Sequence, residues 1–101
     1  MPAYMIIAAK IADRDAFVDG YGKAAAELVA RFGGRYVLRA PGAKLLEGGF
    51  GDGASVVISE WPDKDAAVRF WNSPEYAEVK KLRDGLAECQ VLLIEGELSG
   101  V

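Results

Sequence analysis

The 101-residue sequence contains no histidine and a single cysteine, Cys89. The first absence removes Ser-His and Cys-His nucleophile pairs, and with them histidine ligation of haem. The second leaves no intrachain disulfide and no cysteine-built zinc site. Positive charge is also scarce. Twelve Lys and Arg stand against 15 Asp and Glu, and the net charge of −3 argues against a phosphate backbone as partner. No apolar run approaches the roughly 20 residues that a membrane span requires. The opening "MPAYMIIAAKIADRD" has no positive region ahead of its apolar segment, so it does not read as a signal peptide. The expectation is a cytoplasmic protein with no nucleic-acid or membrane partner and no cofactor. At this length one domain, residues 1–101, is expected to hold a single core.

What is present is an internal echo. Residues 13–21 read "DRDAFVDGY" and residues 63–71 read "DKDAAVRFW", so a pattern of Asp, base, Asp-Ala, Val and an aromatic recurs at an offset of 50. A solenoid needs three or more repeats, whereas two halves suit a split β-α-β arrangement. The flanks agree. "AYMIIAAKI" (3–11) is an apolar run of strand length, and Asp13 can cap a helix over about 14–32. Phe17, Tyr21, Ala24, Leu28 and Phe32 share one face of that helix, while Asp19, Lys23, Glu27 and Arg31 form a charge ladder on another. "GG" at 33–34 ends it. "RYVLRA" (35–40), a short "AKLLEG" (43–48), "ASVVISEW" (54–61) and "QVLLIEGE" (90–97) read as strands. In "NSPEY", Ser73 is an N-cap, Pro74 sits at the first helical position and Glu75 suits the helix dipole, so a broken second helix restarts there. The fold class is α+β: a ferredoxin-like β-α-β-β-α-β antiparallel sheet with its helices on one face.

Strand side chains alternate between faces. One parity collects Met5, Ile7, Ala9, Ile11, Tyr36, Leu38, Val57, Trp61, Leu92 and Ile94. The other collects Tyr4, Ile6, Ala8, Lys10, Arg35, Val37, Arg39, Val56, Ile58, Glu60, Val91, Leu93 and Glu95. The second set carries every charge and is placed away from the helices. Ile6, Val37, Ile58 and Leu93 would then form a large apolar patch, which a second copy packing sheet on sheet would cover. A homodimer is expected. Charges among such aliphatic residues persist only when paired or facing a wet cavity. One reading is a pocket on the sheet face for a small organic acid, with Tyr4, Arg35, Arg39, Tyr76 and Glu95 as ligand-binding residues. The other is a non-catalytic dimeric module whose charges are interface ion pairs, Arg39 with Glu60 for instance.

Without histidine, acid–base work falls to a carboxylate or a tyrosine. Glu60, ending a central strand, is the candidate catalytic base, with a pKa raised by an apolar pocket; Glu95 is second. Tyr76 either closes over the pocket mouth or packs on the sheet. "GGFGDG" (48–53) lacks the following helix of a dinucleotide loop and reads as a hairpin tip. Trp61 belongs with the core set, and "KKLR" (80–83) reads as a solvated helix face. Pro2 could serve as a tautomerase-like amine only with Met1 removed.

On "AYMII", "FGGRYVLR", "LEG", "SEWPDKDAAVRFWNSPEYAEVKKLR" and "LIEG" the chain resembles, nearly end to end, the bacterial domain-of-unknown-function family thirteen-thirty. The resemblance implies the dimeric α/β-barrel superfamily and no established activity. Related families there include cofactor-independent monooxygenases, haem-degrading enzymes, lactone isomerases and haem-dependent dismutases. A cofactor-independent enzyme of the monooxygenase or isomerase kind is therefore the functional expectation beside the non-catalytic module.

Overall fold

β1 (Ala3–Ile11) sits at the centre of a four-stranded sheet because it is the most continuously apolar strand, paired on both sides. The computed structural model describes residues 1–99; the last two residues of the expected domain lie outside the described residues. β2 (Arg35–Ala40), β3 (Ser55–Trp61) and β4 (Ala87–Glu95) complete the sheet in the order β2-β3-β1-β4, every neighbour antiparallel. This is the expected ferredoxin-like α+β arrangement. The segment 43–48 is not a strand. Residues 41–54 form an irregular excursion closed by Ala43 N–H to Ala54 O (2.9 Å) and Gly53 N–H to Ala43 O (2.7 Å). No helix among the described residues is long and apolar enough to cross a membrane.

The helices start and stop where local chemistry directs. Asp13 accepts from the Ala16 amide to open α1 (Arg14–Phe17), which runs through a π-helical turn (Val18–Gly22) into α2 (Lys23–Arg31). Gly33, at φ +96°, ends α2: Gly34 N–H donates to Val29 O at 2.8 Å and Gly33 N–H to Ala30 O at 3.2 Å. That is a Schellman closure, and it needs the left-handed residue that glycine supplies without a Cβ penalty. Asp63 caps α3 (Lys64–Trp71), and the Ser73 hydroxyl accepts from the Tyr76 amide to open α4 (Pro74–Lys80), with Pro74 in the first turn. A short 3-10 turn, Lys81–Arg83, follows.

The helices cover one face of the sheet. Ala3, Met5 and Trp61 from the strands meet Tyr21, Ala25, Leu28, Val29, Phe70 and Tyr76 from the helices in one core. Its centre is a run of rings: Trp61 to Phe70 at 5.0 Å, Phe70 to Tyr76 at 4.5 Å and Trp71 to Tyr76 at 5.2 Å. Each such pair adds about 0.5–1.5 kcal/mol beyond area burial. The Trp61 indole, 1% exposed, satisfies its N–H on Ser59 Oγ at 2.9 Å.

Two strands depart from simple alternation read along the chain. In β4, Leu93 stands opposite Met5 and Val91 opposite Ile7, so these two pack on the core while Leu92 and Ile94 point away, 66% and 58% exposed. The expected parity of β4 is inverted. In β2 the register against β3 shifts between Tyr36 and Leu38. The extra residue, Val37, turns Leu38 to the open face opposite Ile58 and Arg39 to the helix face opposite Val57.

Candidate functional site

The bulge in β2 decides the site. With Arg39 on the helix side, its guanidinium stands 5.1 Å from the Tyr36 ring centroid, at the mouth of a cavity of about 370 Å³ between the sheet and the α1–α2 run. Three further cations line this cavity: Arg14 from the first turn of α1, Lys23 from α2 and Arg83 from the turn after α4. The Arg83 guanidinium lies 5.3 Å from the Tyr21 ring centroid, and Arg14 donates to Ser55 Oγ at 3.2 Å. Lys23 is answered by Asp19 at 3.8 Å, while Arg14, Arg39 and Arg83 form no ion pair among the described residues. Among the described residues no carboxylate lines the cavity; apart from Tyr21, Tyr36, Ser55 and Cys89 the remaining wall is apolar, with Ile7, Phe17 and Val57 prominent. A space of this volume with few polar groups has the dimensions of a small-molecule site.

Tyr21 and Tyr36 are its phenols. Burial pushes both hydroxyls above their ordinary pKa of 10.0, with Arg39 partly opposing the rise at Tyr36. Both stay protonated at neutral pH and act as donors, not bases. The π-turn carries Val18, Tyr21 and Gly22 onto the cavity wall, a place where such turns recur in proteins.

The sequence-derived site residues divide differently. Arg39 alone of them lines this cavity. Tyr4, Arg35 and Glu60 meet on the opposite, open face: the Tyr4 hydroxyl donates to Glu60 Oε2 at 2.8 Å, and Arg35 donates to Oε1 through Nε at 2.8 Å and Nη2 at 2.6 Å. Arg39 therefore forms no pair with Glu60. The two donors on Glu60, Tyr4 first and Arg35 second, hold its pKa below the ordinary value of 4.5, the reverse of the expected rise. The same bond raises the pKa of Tyr4. Beside this cluster Pro2, Gly33 and Pro62 border a shallower recess of about 320 Å³. Tyr76 is a core residue, 2% exposed, with its hydroxyl 2.7 Å from that of Tyr21; it does not line the cavity mouth. Glu95 lies exposed at the end of β4, in register with Ala3 and apart from both clusters.

Arg14, Arg83, Tyr21 and Tyr36 escaped the sequence reading. Arg14 sits inside "DRD", read as the start of a repeated helix segment, and Arg83 inside "KKLR", read as solvated helix surface. Only the fold of the turn after α4 against the π-turn brings Arg83 to Tyr21.

The sheet order and the helices on one face define a ferredoxin-like α+β fold. The chain belongs to the family described as a domain of unknown function, DUF1330, whose model matches residues 2–97. Among solved structures it is similar to RPA0582, a protein of unknown function from Rhodopseudomonas palustris (22% identity, TM-score 0.74, covering 96% of this chain and 83% of that one). It is also similar to SnoaB, a cofactor-independent oxygenase from Streptomyces nogalater (18% identity, TM-score 0.70, 98% and 96% covered). A third similar structure is At3g17210 from Arabidopsis thaliana (15% identity, TM-score 0.64, 98% and 97% covered). A search of curated proteins finds no match. At these identities the likeness is one of fold.

Proposed function

We propose that this protein binds a small organic anion in the cavity between the sheet and the α1–α2 run, as one half of a homodimer. The observation that carries the reading is the convergence of Arg14, Arg39 and Arg83 on a largely apolar cavity that no carboxylate lines among the described residues. Like charges brought together without a counter-charge repel, and a bound anion relieves that repulsion through charge-assisted hydrogen bonds. The same field favours negative charge developing on a ligand, which is the electrostatic part of catalysis. That chemistry suits a cofactor-independent enzyme, a class supported by the likeness to SnoaB, itself described as a cofactor-independent oxygenase. In this reading Glu60 does not serve as the base. Its carboxylate is on the other face, tied by two donors.

The dimer reading rests on the open sheet face. Leu38 (44% exposed), Leu92 and Ile94 gather there with Ile6 and Ile58, a contiguous apolar surface of the kind that marks an interface. The Tyr4–Glu60–Arg35 cluster stands at one end of it and would set the register between the two copies, the role of interface charges expected from the sequence.

The test is a thermal-shift series with benzoate and short aliphatic carboxylates on wild type and Arg39→Ala. At ten times Kd a ligand adds about 1.4 kcal/mol, or roughly 5–10 °C for a domain of this size. A shift lost in Arg39→Ala supports the anion site. No shift in wild type, or an equal shift in the variant, sinks it.

A further inference from the structure

The Tyr21–Tyr76 pair holds two hydroxyl protons and one hydrogen bond. The two oxygens are 2.7 Å apart, and neither hydroxyl makes another hydrogen bond among the described residues. Whichever tyrosine accepts is left with a proton that needs a partner. Tyr76, 2% exposed and off the cavity wall, makes no other hydrogen bond through its hydroxyl among the described residues. Tyr21, 8% exposed, lines the cavity. The arrangement that leaves neither proton orphaned in the core has Tyr76 donating to Tyr21, and Tyr21 turning its own proton toward the cavity. Burial keeps both phenols protonated.

We infer that Tyr21 is the cavity's oriented, uncharged donor to the ligand, with Tyr76 as its positioning residue, and that the preferred ligands are organic acids carrying a second, neutral acceptor oxygen such as a ketone. This rests on the anion-site reading and adds to it. The arginines select the charge, whereas Tyr21 selects an oxygen on an otherwise apolar frame. A buried donor left unpaired discriminates strongly against a ligand lacking the matching acceptor. Tyr36 is the other phenol on the wall, but it is half-buried and stacked by Arg39, and no partner fixes its hydroxyl among the described residues.

The experiment compares the three acetylbenzoate isomers with the three isopropylbenzoates, near-isosteric pairs that differ by the ketone oxygen, by calorimetric titration. In wild type at least one acetyl isomer is expected to bind about tenfold tighter than its isopropyl counterpart. Tyr21→Phe removes that preference, Tyr76→Phe lowers it, and Tyr36→Phe leaves it. Tyr76→Phe has no further effect on the ratio when Tyr21 is already Phe, and this double variant also leaves no orphaned hydroxyl to threaten the fold. Binding that depends on Arg39 but shows no ketone preference, or a preference surviving Tyr21→Phe, overturns this inference while the anion site stands. A preference indifferent to Tyr76→Phe overturns the positioning role. If none of the six acids binds wild type, the anion-site reading falls and this one with it.

Discussion

Gly34 stands between the end of α2 and the start of β2, and a single methyl there should be costly. A Cβ at Gly34 would meet three atoms of the Trp61 indole at 2.8, 2.8 and 2.9 Å, closer than carbon atoms approach in folded proteins. The indole has little room to yield. It is 1% exposed, stacked on Phe70 at 5.0 Å and hydrogen-bonded through its N–H to Ser59. Overpacking of this kind costs about 1–3 kcal/mol. Against it stands the loss of chain freedom in the unfolded state, which favours Gly→Ala by about 0.4–1 kcal/mol. The steric cost wins. Gly34→Ala should destabilise by about 1–2 kcal/mol, lowering Tm by roughly 4–16 °C at fixed protein concentration. Urea denaturation followed by circular dichroism reads the change directly. The diagnostic is the cycle with Trp61→Phe: once the indole is gone, Gly34→Ala should cost at least about 1 kcal/mol less. An unchanged cost in that background, or no cost in wild type, would refute the argument.

Glu60 makes stability depend on pH in one direction. Its folded pKa is depressed by Tyr4 and Arg35, so its contribution is fully present above the ordinary value of 4.5 and is lost as pH falls through the lower folded value. The Tm difference between wild type and Glu60→Gln should therefore narrow in acid below that value; a gap that widens there contradicts the assignment. On the open face, Leu92→Glu should convert the proposed dimer to monomer in sedimentation velocity with the subunit still folded, because Leu92 is 66% exposed and stands on the sheet face away from the core. A wild type that sediments as a monomer removes the dimer reading altogether.

Much of the fold was legible because its signals are local. Asp13, Asp63 and Ser73 cap helices within three residues of themselves, Gly33 meets a backbone requirement of its own position, and β1 is apolar apart from Lys10. The site was less legible. Parity counted along β2 assumed an unbroken ladder, and one extra residue at Val37 moved Arg39 to the other face of the sheet. In β4 apolar residues occupy both parities, so Leu92–Leu93–Ile94 gave no indication of which side meets the helices; the register against Met5 chose Leu93. Tyr76 could pack or reach a mouth from the same helix turn, and the Tyr21 hydroxyl drew it into the core.

By itself the sequence determined the order of the main elements, their caps, the absence of histidine chemistry and the presence of apolar residues on both faces of the sheet. These follow from residue type and short-range spacing. Only the tertiary structure decided which charges meet. A bulge separated Arg39 from Glu60, a closing turn brought Arg83 to the π-turn, and the packing of α1 set Arg14 on the same cavity wall. Electrostatics acts between neighbours in space, and neighbours in space are set by register and packing.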